Sequence, residues 1–223
     1  MRPWVFILAS LGLLLGGCDA GGEPAGTRER RQGPRKPAYC PEGPGKSVRG
    51  RVLAPDWFVE RGGAPHPDAG ESKGRERREL PVRGVDVSVR QRDEEAALVE
   101  TTTDSKGRWC VDLSDTSTGM DLVAVARLDS HRLRRPVITR YGTTISVRSE
   151  ALLQLVEKRT DDLSTVSPAL YLNLESIAST AVDLLDPVEW NSDETVSSAI
   201  DKVATHLRAD RRIEEKLRRF SGE

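Results

Sequence analysis

The spacing of apolar residues changes once along this chain, close to residue 148, and that change limits the folds open to it. Before it, apolar and polar residues alternate. Val48, Gly50 and Val52 are interleaved with Arg49 and Arg51, and Val85, Val87 and Val89 with Asp86, Ser88 and Arg90. Trp109, Val111 and Leu113 are interleaved with Arg108, Cys110 and Asp112. Leu98 to Thr103 is rich in β-branched residues, and Leu122 to Ala126 is a continuous apolar run suited to a central strand. Val137 to Thr139 and Ile145 to Val147 complete the set. A period of two with one apolar face predicts an antiparallel sandwich. Asp104-Ser105-Lys106-Gly107 predicts a hairpin turn, with Gly107 able to take a positive φ.

After Val147 the apolar residues recur at helical spacing. Ser149 is the expected cap of a first helix through Lys158, with Ala151, Leu152, Leu155 and Val156 on its buried face. Ser167-Pro168 is a cap followed by a first-turn proline, and opens a second helix carrying Leu170, Leu174, Ile177, Ala178, Ala181, Val182 and Leu185, ended by Pro187. Ser192-Asp193-Glu194 opens a third, with Val196, Ala199, Ile200, Val203, Leu207, Ile213 and Leu217 as one stripe and a charged opposite face that includes Arg208, Arg211, Arg212, Arg218 and Arg219. The stripes are expected to pack together and against one sheet, leaving a solvated charged face; the sharper reading is a basic helix end that touches a membrane or an acidic partner. The predicted class is α+β, a β domain over 47–148 followed by a helical region over 149–223.

The N-terminus sets the address. Arg2 precedes an apolar run from Trp4 to Leu15, too short for the ~20 residues that cross a bilayer and flanked like a signal peptide. Leu15-Gly16-Gly17-Cys18 resembles the lipobox of bacterial lipoprotein precursors. The resemblance implies a signal peptide over 1–17, diacylglyceryl modification of Cys18, palmitate among the acyl chains, and a protein held at the bacterial cell envelope facing the periplasm or the exterior. An ordinary secretory signal that happens to end in cysteine is the plainer alternative. Residues 18–46, rich in Gly, Pro and Arg, are expected to form a disordered tether reaching roughly 30 Å. Arg28, Arg30, Arg31, Arg35 and Lys36 make it basic enough to lie on anionic headgroups, although a plain spacer is the primary reading.

Of three cysteines, lipidation takes Cys18 and leaves Cys40 and Cys110 as a pair in a compartment that permits disulfides. The alternative is two free thiols. Gly43-Pro44-Gly45-Lys46-Ser47 imitates the end of a phosphate-binding loop. Cys40 stands where its leading glycine belongs, however, and a strand follows where a helix is needed.

Three runs together carry a second resemblance: Ser47-Val-Arg-Gly-Arg-Val-Leu53, Leu80-Pro-Val-Arg-Gly-Val-Asp-Val-Ser-Val89 and Thr102-Thr-Asp-Ser-Lys-Gly-Arg-Trp109. They resemble the carboxypeptidase regulatory-like domain, which implies a seven-stranded, transthyretin-like, Ig-like sandwich and a non-catalytic structural or binding role. The chain departs from the family in a long polar insertion over 54–80. Trp57 and Phe58 at its start either cover the end of the sandwich, the reading we prefer, or serve as binding anchors.

The 34 basic residues are balanced by 35 acidic ones, which argues against a nucleic-acid partner. His66, His131 and His206 are far apart without metal-ligand spacing, and Asp129-Ser130-His131 is too contiguous to orient as a triad. No catalytic residue, metal or cofactor is expected. The chain reads as a lipid-anchored binding or scaffolding protein whose partner is an envelope protein or glycan. A small periplasmic hydrolase with a site between sandwich and helices, or an accessory subunit of an envelope complex, are the alternatives.

Overall fold

The computed structural model describes residues 40, 47–55, 58–59, 79–182 and 195–220. These residues form a mixed α+β body of two four-stranded sheets and four α-helices. The strands are β1 (Ser47–Pro55), β2 (Glu79–Pro81), β3 (Asp86–Gln91), β4 (Val99–Thr102), β5 (Arg108–Asp112), β6 (Gly119–Leu128), β7 (His131–Val137) and β8 (Thr143–Ile145). The helices are α1 (Val147–Glu157), α2 (Pro168–Val182), α3 (Val196–Ala209) and α4 (Arg211–Leu217).

Strand β1 is the hub of the first sheet. It runs antiparallel to β5 through Val48↔Val111 and Gly50↔Trp109, and antiparallel to β2 through Leu53↔Pro81. It runs parallel to β8 through Gly50↔Thr143, the one parallel pairing among the described strands. The second sheet has the order β4-β3-β6-β7, antiparallel throughout. Alternation places Val48, Val52, Trp109 and Val111 of the first sheet, and Val87, Val89, Leu122, Ala124 and Leu133 of the second, in one core. The arrangement is sandwich-like, with eight described strands where seven were expected.

Gly50 is required by this packing: a Cβ there would run into the Thr143 carbonyl and the Trp109 ring. Gly107 adopts φ 66°, as expected of the turn. There the Asp104 carboxylate accepts from the Lys106 and Arg108 amides, both at 2.8 Å. Behind it the buried Thr103 hydroxyl donates to the Val82 carbonyl at 2.7 Å and accepts from the Val85 amide at 2.9 Å, binding the turn after β2 to the core.

Several expected boundaries move. The strand expected over 137–139 lies earlier, as β7, because β6 and β7 are joined by the two-residue turn Asp129-Ser130, with Asp129 at φ 52°. The strand expected over 145–147 is β8, and Val147 already belongs to α1. Ser146, rather than Ser149, is the cap: its hydroxyl accepts from the Ser149 amide at 3.3 Å while the Ser149 hydroxyl accepts from the Ser146 amide at 2.9 Å. The stripe expected to form one helix over 196–217 is broken at Asp210 (φ −76°, ψ 112°), whose carboxylate accepts from the Arg212 amide at 2.8 Å and so restarts the chain as α4. Thr195 caps α3 through the Ser198 amide. The Ser192-Asp193-Glu194 start, Leu185 and Pro187 lie outside the described residues.

The helices do not lie flat on one sheet. Helix α1 touches β7, β8 and β1, so it crosses the open seam between the two sheets, and α2 and α3 pack onto it in turn. The 3-10 turn Leu163–Thr165 packs against β6 through the buried Leu163. The apolar faces of α1, α3 and α4 continue the sandwich core through Leu152, Leu155, Val203, Leu207, Ile213 and Leu217.

Candidate functional site

The charged groups that sequence reading overlooked gather where α1 meets β7. Adjacent residues in a strand point to opposite faces, so Arg134 and Arg135 are sent to different neighbours. Arg134 points out of the sandwich into two carboxylates of α1. Its guanidinium donates to Glu150 at 2.8 Å and to Glu157 twice at 3.0 Å, and Arg92 approaches Glu157 at 3.8 Å. Glu150 is only 2% exposed, yet it is fully engaged, accepting also from Gln154 at 3.0 Å.

The first turn of α1 also closes the open edge of β7. Glu150 accepts from the Arg134 backbone amide at 2.7 Å, and the Ser149 hydroxyl donates to the Arg134 carbonyl at 3.0 Å. Two side chains thus occupy the positions a further strand would take, which removes an edge that could pair with another chain. The facing carboxylates raise the Arg134 pKa against the opposing effect of burial.

Arg135 points inward and is 6% exposed. It donates to the Gly142 carbonyl at 2.7 Å and to Glu175 of α2 at 2.6 Å. Tyr171, fully buried, is close enough to Glu175 and Arg135 to feel both; burial pushes its hydroxyl up, and the hydroxyl has no hydrogen-bond partner. A third clasp joins Glu79 of β2 to Arg148 of α1 at 3.5 Å, and Arg148 reaches on to the Ser179 hydroxyl of α2 at 3.0 Å. Burial pushes the Glu79 carboxyl up, against the Arg148 charge and the Val147 and Arg148 amides that draw it down. In each clasp a carboxylate faces a guanidinium. This geometry locks helices to strands and neutralises buried charge.

The residues singled out from the sequence are placed as follows. Cys40 and Cys110 form a disulfide with their Cα atoms 5.5 Å apart, tying residue 40 to the middle of β5. Phe58 is half-buried and packs against the core. Cys18, Trp57, His66 and most of the tether and insertion lie outside the described residues. His131 begins β7, and His206 of α3 hydrogen-bonds the Ala181 carbonyl at 3.1 Å, so these two serve different elements. Asp129 and Ser130 form the β6–β7 turn. Among the described residues no group of three or more His, Cys, Asp and Glu is placed to hold a metal, and no helix is long and apolar enough to cross a membrane.

One signal for the clasps was present: Arg132-Leu-Arg-Arg135 puts three cations in a strand, and Glu150 and Glu157 are spaced by two helical turns on one face of a helix. Comparison with protein-family models, with curated proteins and with solved structures returned no match for this chain.

Proposed function

We propose that the chain is a lipid-anchored protein of the bacterial cell envelope, acylated at Cys18 after removal of residues 1–17. Its sandwich, of the carboxypeptidase regulatory-like, Ig-like kind, acts as a non-catalytic binding or scaffolding module for an envelope protein or glycan. The observation that carries this reading is the Cys40–Cys110 bridge. Disulfides persist in oxidising compartments, and this one leaves Cys18, at the end of the lipobox-like run, as the cysteine free for acylation. Supporting the scaffolding role, the buried Glu150 and the part-exposed Glu157 and Glu175 of α1 and α2 are committed to guanidinium partners that fix the helices on the sandwich.

The test is metabolic labelling with radioactive palmitate in cells expressing the full chain. Incorporation into the wild-type protein and its loss in Cys18→Ala is the expected result. An unlabelled wild-type chain that retains Met1 would refute the anchor.

A further inference from the structure

We propose that the outer face of the first sheet, built from Arg49, Arg51 and Arg108 with Tyr141 beside them, is a docking surface for an anionic phospholipid bilayer. The proposal rests on the lipid-anchor reading for which surface is within reach, and its test is independent of acylation. The register defines the face. With Val48, Val52, Trp109 and Val111 turned into the core, Arg49 stands opposite Cys110 and Arg51 opposite Arg108 on the outside.

Like charges directly across a strand pair are destabilising, so the Arg51–Arg108 pairing is something the fold alone has no need of. Asp104 balances Arg108 at 2.8 Å, and Arg51 is exposed with no ion-pair partner among the described residues. Asp112 of β5 and Glu79 of β2 are the acidic residues in register on this face, and Glu79 is paired with Arg148. The Arg49 guanidinium lies 5.9 Å from the centre of the Tyr141 ring, which is 55% exposed. A half-wet aromatic beside cations suits a headgroup layer, where tyrosine rings concentrate.

The disulfide points the same way. It fastens residue 40 to Cys110, in the middle of this face. Twenty-two residues along the chain separate Cys18 from Cys40, a chain length that leaves this face within reach of a bilayer to which Cys18 is anchored. Each arginine near an anionic surface strengthens partitioning by about five-fold.

The experiment uses the disulfide-bonded chain 18–223 with Cys18→Ser, which carries no lipid, mixed with sedimentable vesicles. Binding to phosphatidylglycerol-containing vesicles, weak binding to pure phosphatidylcholine, and weakening with added salt are expected. Arg51→Glu/Arg108→Glu should lower partitioning by at least about 25-fold while the tether arginines stay in place. Equal binding by that variant would assign the attraction to the tether and overturn the proposal. So would equal binding to both lipids, or capture of polyglutamate without vesicle binding, which would make the face a dock for an acidic protein. A second measurement needs no variant: nitration of Tyr141, located by peptide mapping, should fall when phosphatidylglycerol vesicles are added, and unchanged nitration would overturn the proposal. Palmitate labelling of the wild-type chain separates failure of this face from failure of the anchor.

Discussion

Replacing Glu150 by alanine tests the physical account of how the helices are held. The side chain is almost completely buried and accepts from the Arg134 amide at 2.7 Å, from the Arg134 guanidinium at 2.8 Å and from Gln154 at 3.0 Å. Removal orphans a backbone amide at the β7 edge, and an orphaned buried group costs about 1–3 kcal/mol. Removing one partner of a buried ion pair costs about 3–5 kcal/mol. Arg134 is partly exposed and keeps both bonds to Glu157, so the lower end applies. The expected loss is therefore ~3 kcal/mol, most of it from the amide and the lost charge pair. In urea unfolding of the disulfide-intact chain, that loss should move the midpoint down by about 1–2 M at unchanged slope. Glu150→Gln keeps an acceptor for the amide and should lose roughly half as much. Glu157→Ala, at a more solvated site, should lose about 1 kcal/mol or less. A Glu150→Ala midpoint indistinguishable from wild type would refute the claim that α1 closes the β7 edge.

Four further outcomes are expected. Gly50→Ala should destabilise by about 3 kcal/mol, since neither the Thr143 carbonyl nor the Trp109 ring can retreat from the added methyl group; a thermal midpoint within a degree of wild type would contradict this. Opening the Cys40–Cys110 bridge by double alanine substitution should cost on the order of 4 kcal/mol for the 70-residue separation, read by denaturant unfolding. Tyr171→Phe should leave stability unchanged or raise it, because the deleted hydroxyl has no partner to lose; a clear loss would show that the hydroxyl is bonded after all. The hydrogen bond from Arg212 holds the Asp210 carboxyl down at about 2. Its contribution is present above the ordinary carboxylate range near pH 4 and is lost as pH falls toward 2. The Asp210 carboxyl resonance should titrate accordingly, and a midpoint near 4 would contradict the cap at α4.

Periodicity made much of this architecture readable. Alternation at 48–52, 85–89 and 109–113 marked strands and named their buried residues, because a sheet with one wet face imposes a period of two. Asp104 to Gly107 was readable because the turn needs a residue at positive φ. Ser167-Pro168 was readable for a similarly local reason: Pro168 is the first residue of α2. Reading failed where two local signals compete. Ile145 and Val147 are β-branched, yet Ser146 between them caps a helix; Asp210 interrupts a stripe whose spacing runs on unbroken through Leu217.

The clasps were legible only in part. Arg134 and Glu150 are separated by sixteen residues, and nothing in spacing says which carboxylate an arginine meets. The sequence by itself determined the order of a β part followed by a helical part, the pairing of Cys40 with Cys110 as the natural choice, and the inner faces of the strands it marked, since burial of apolar residues follows local period. Tertiary structure alone decided that α1 crosses the seam between the sheets, that Glu150 and Ser149 stand in for a missing strand, and that Arg51 faces Arg108. Those outcomes depend on which elements become neighbours, and that is settled by the packing of the whole core.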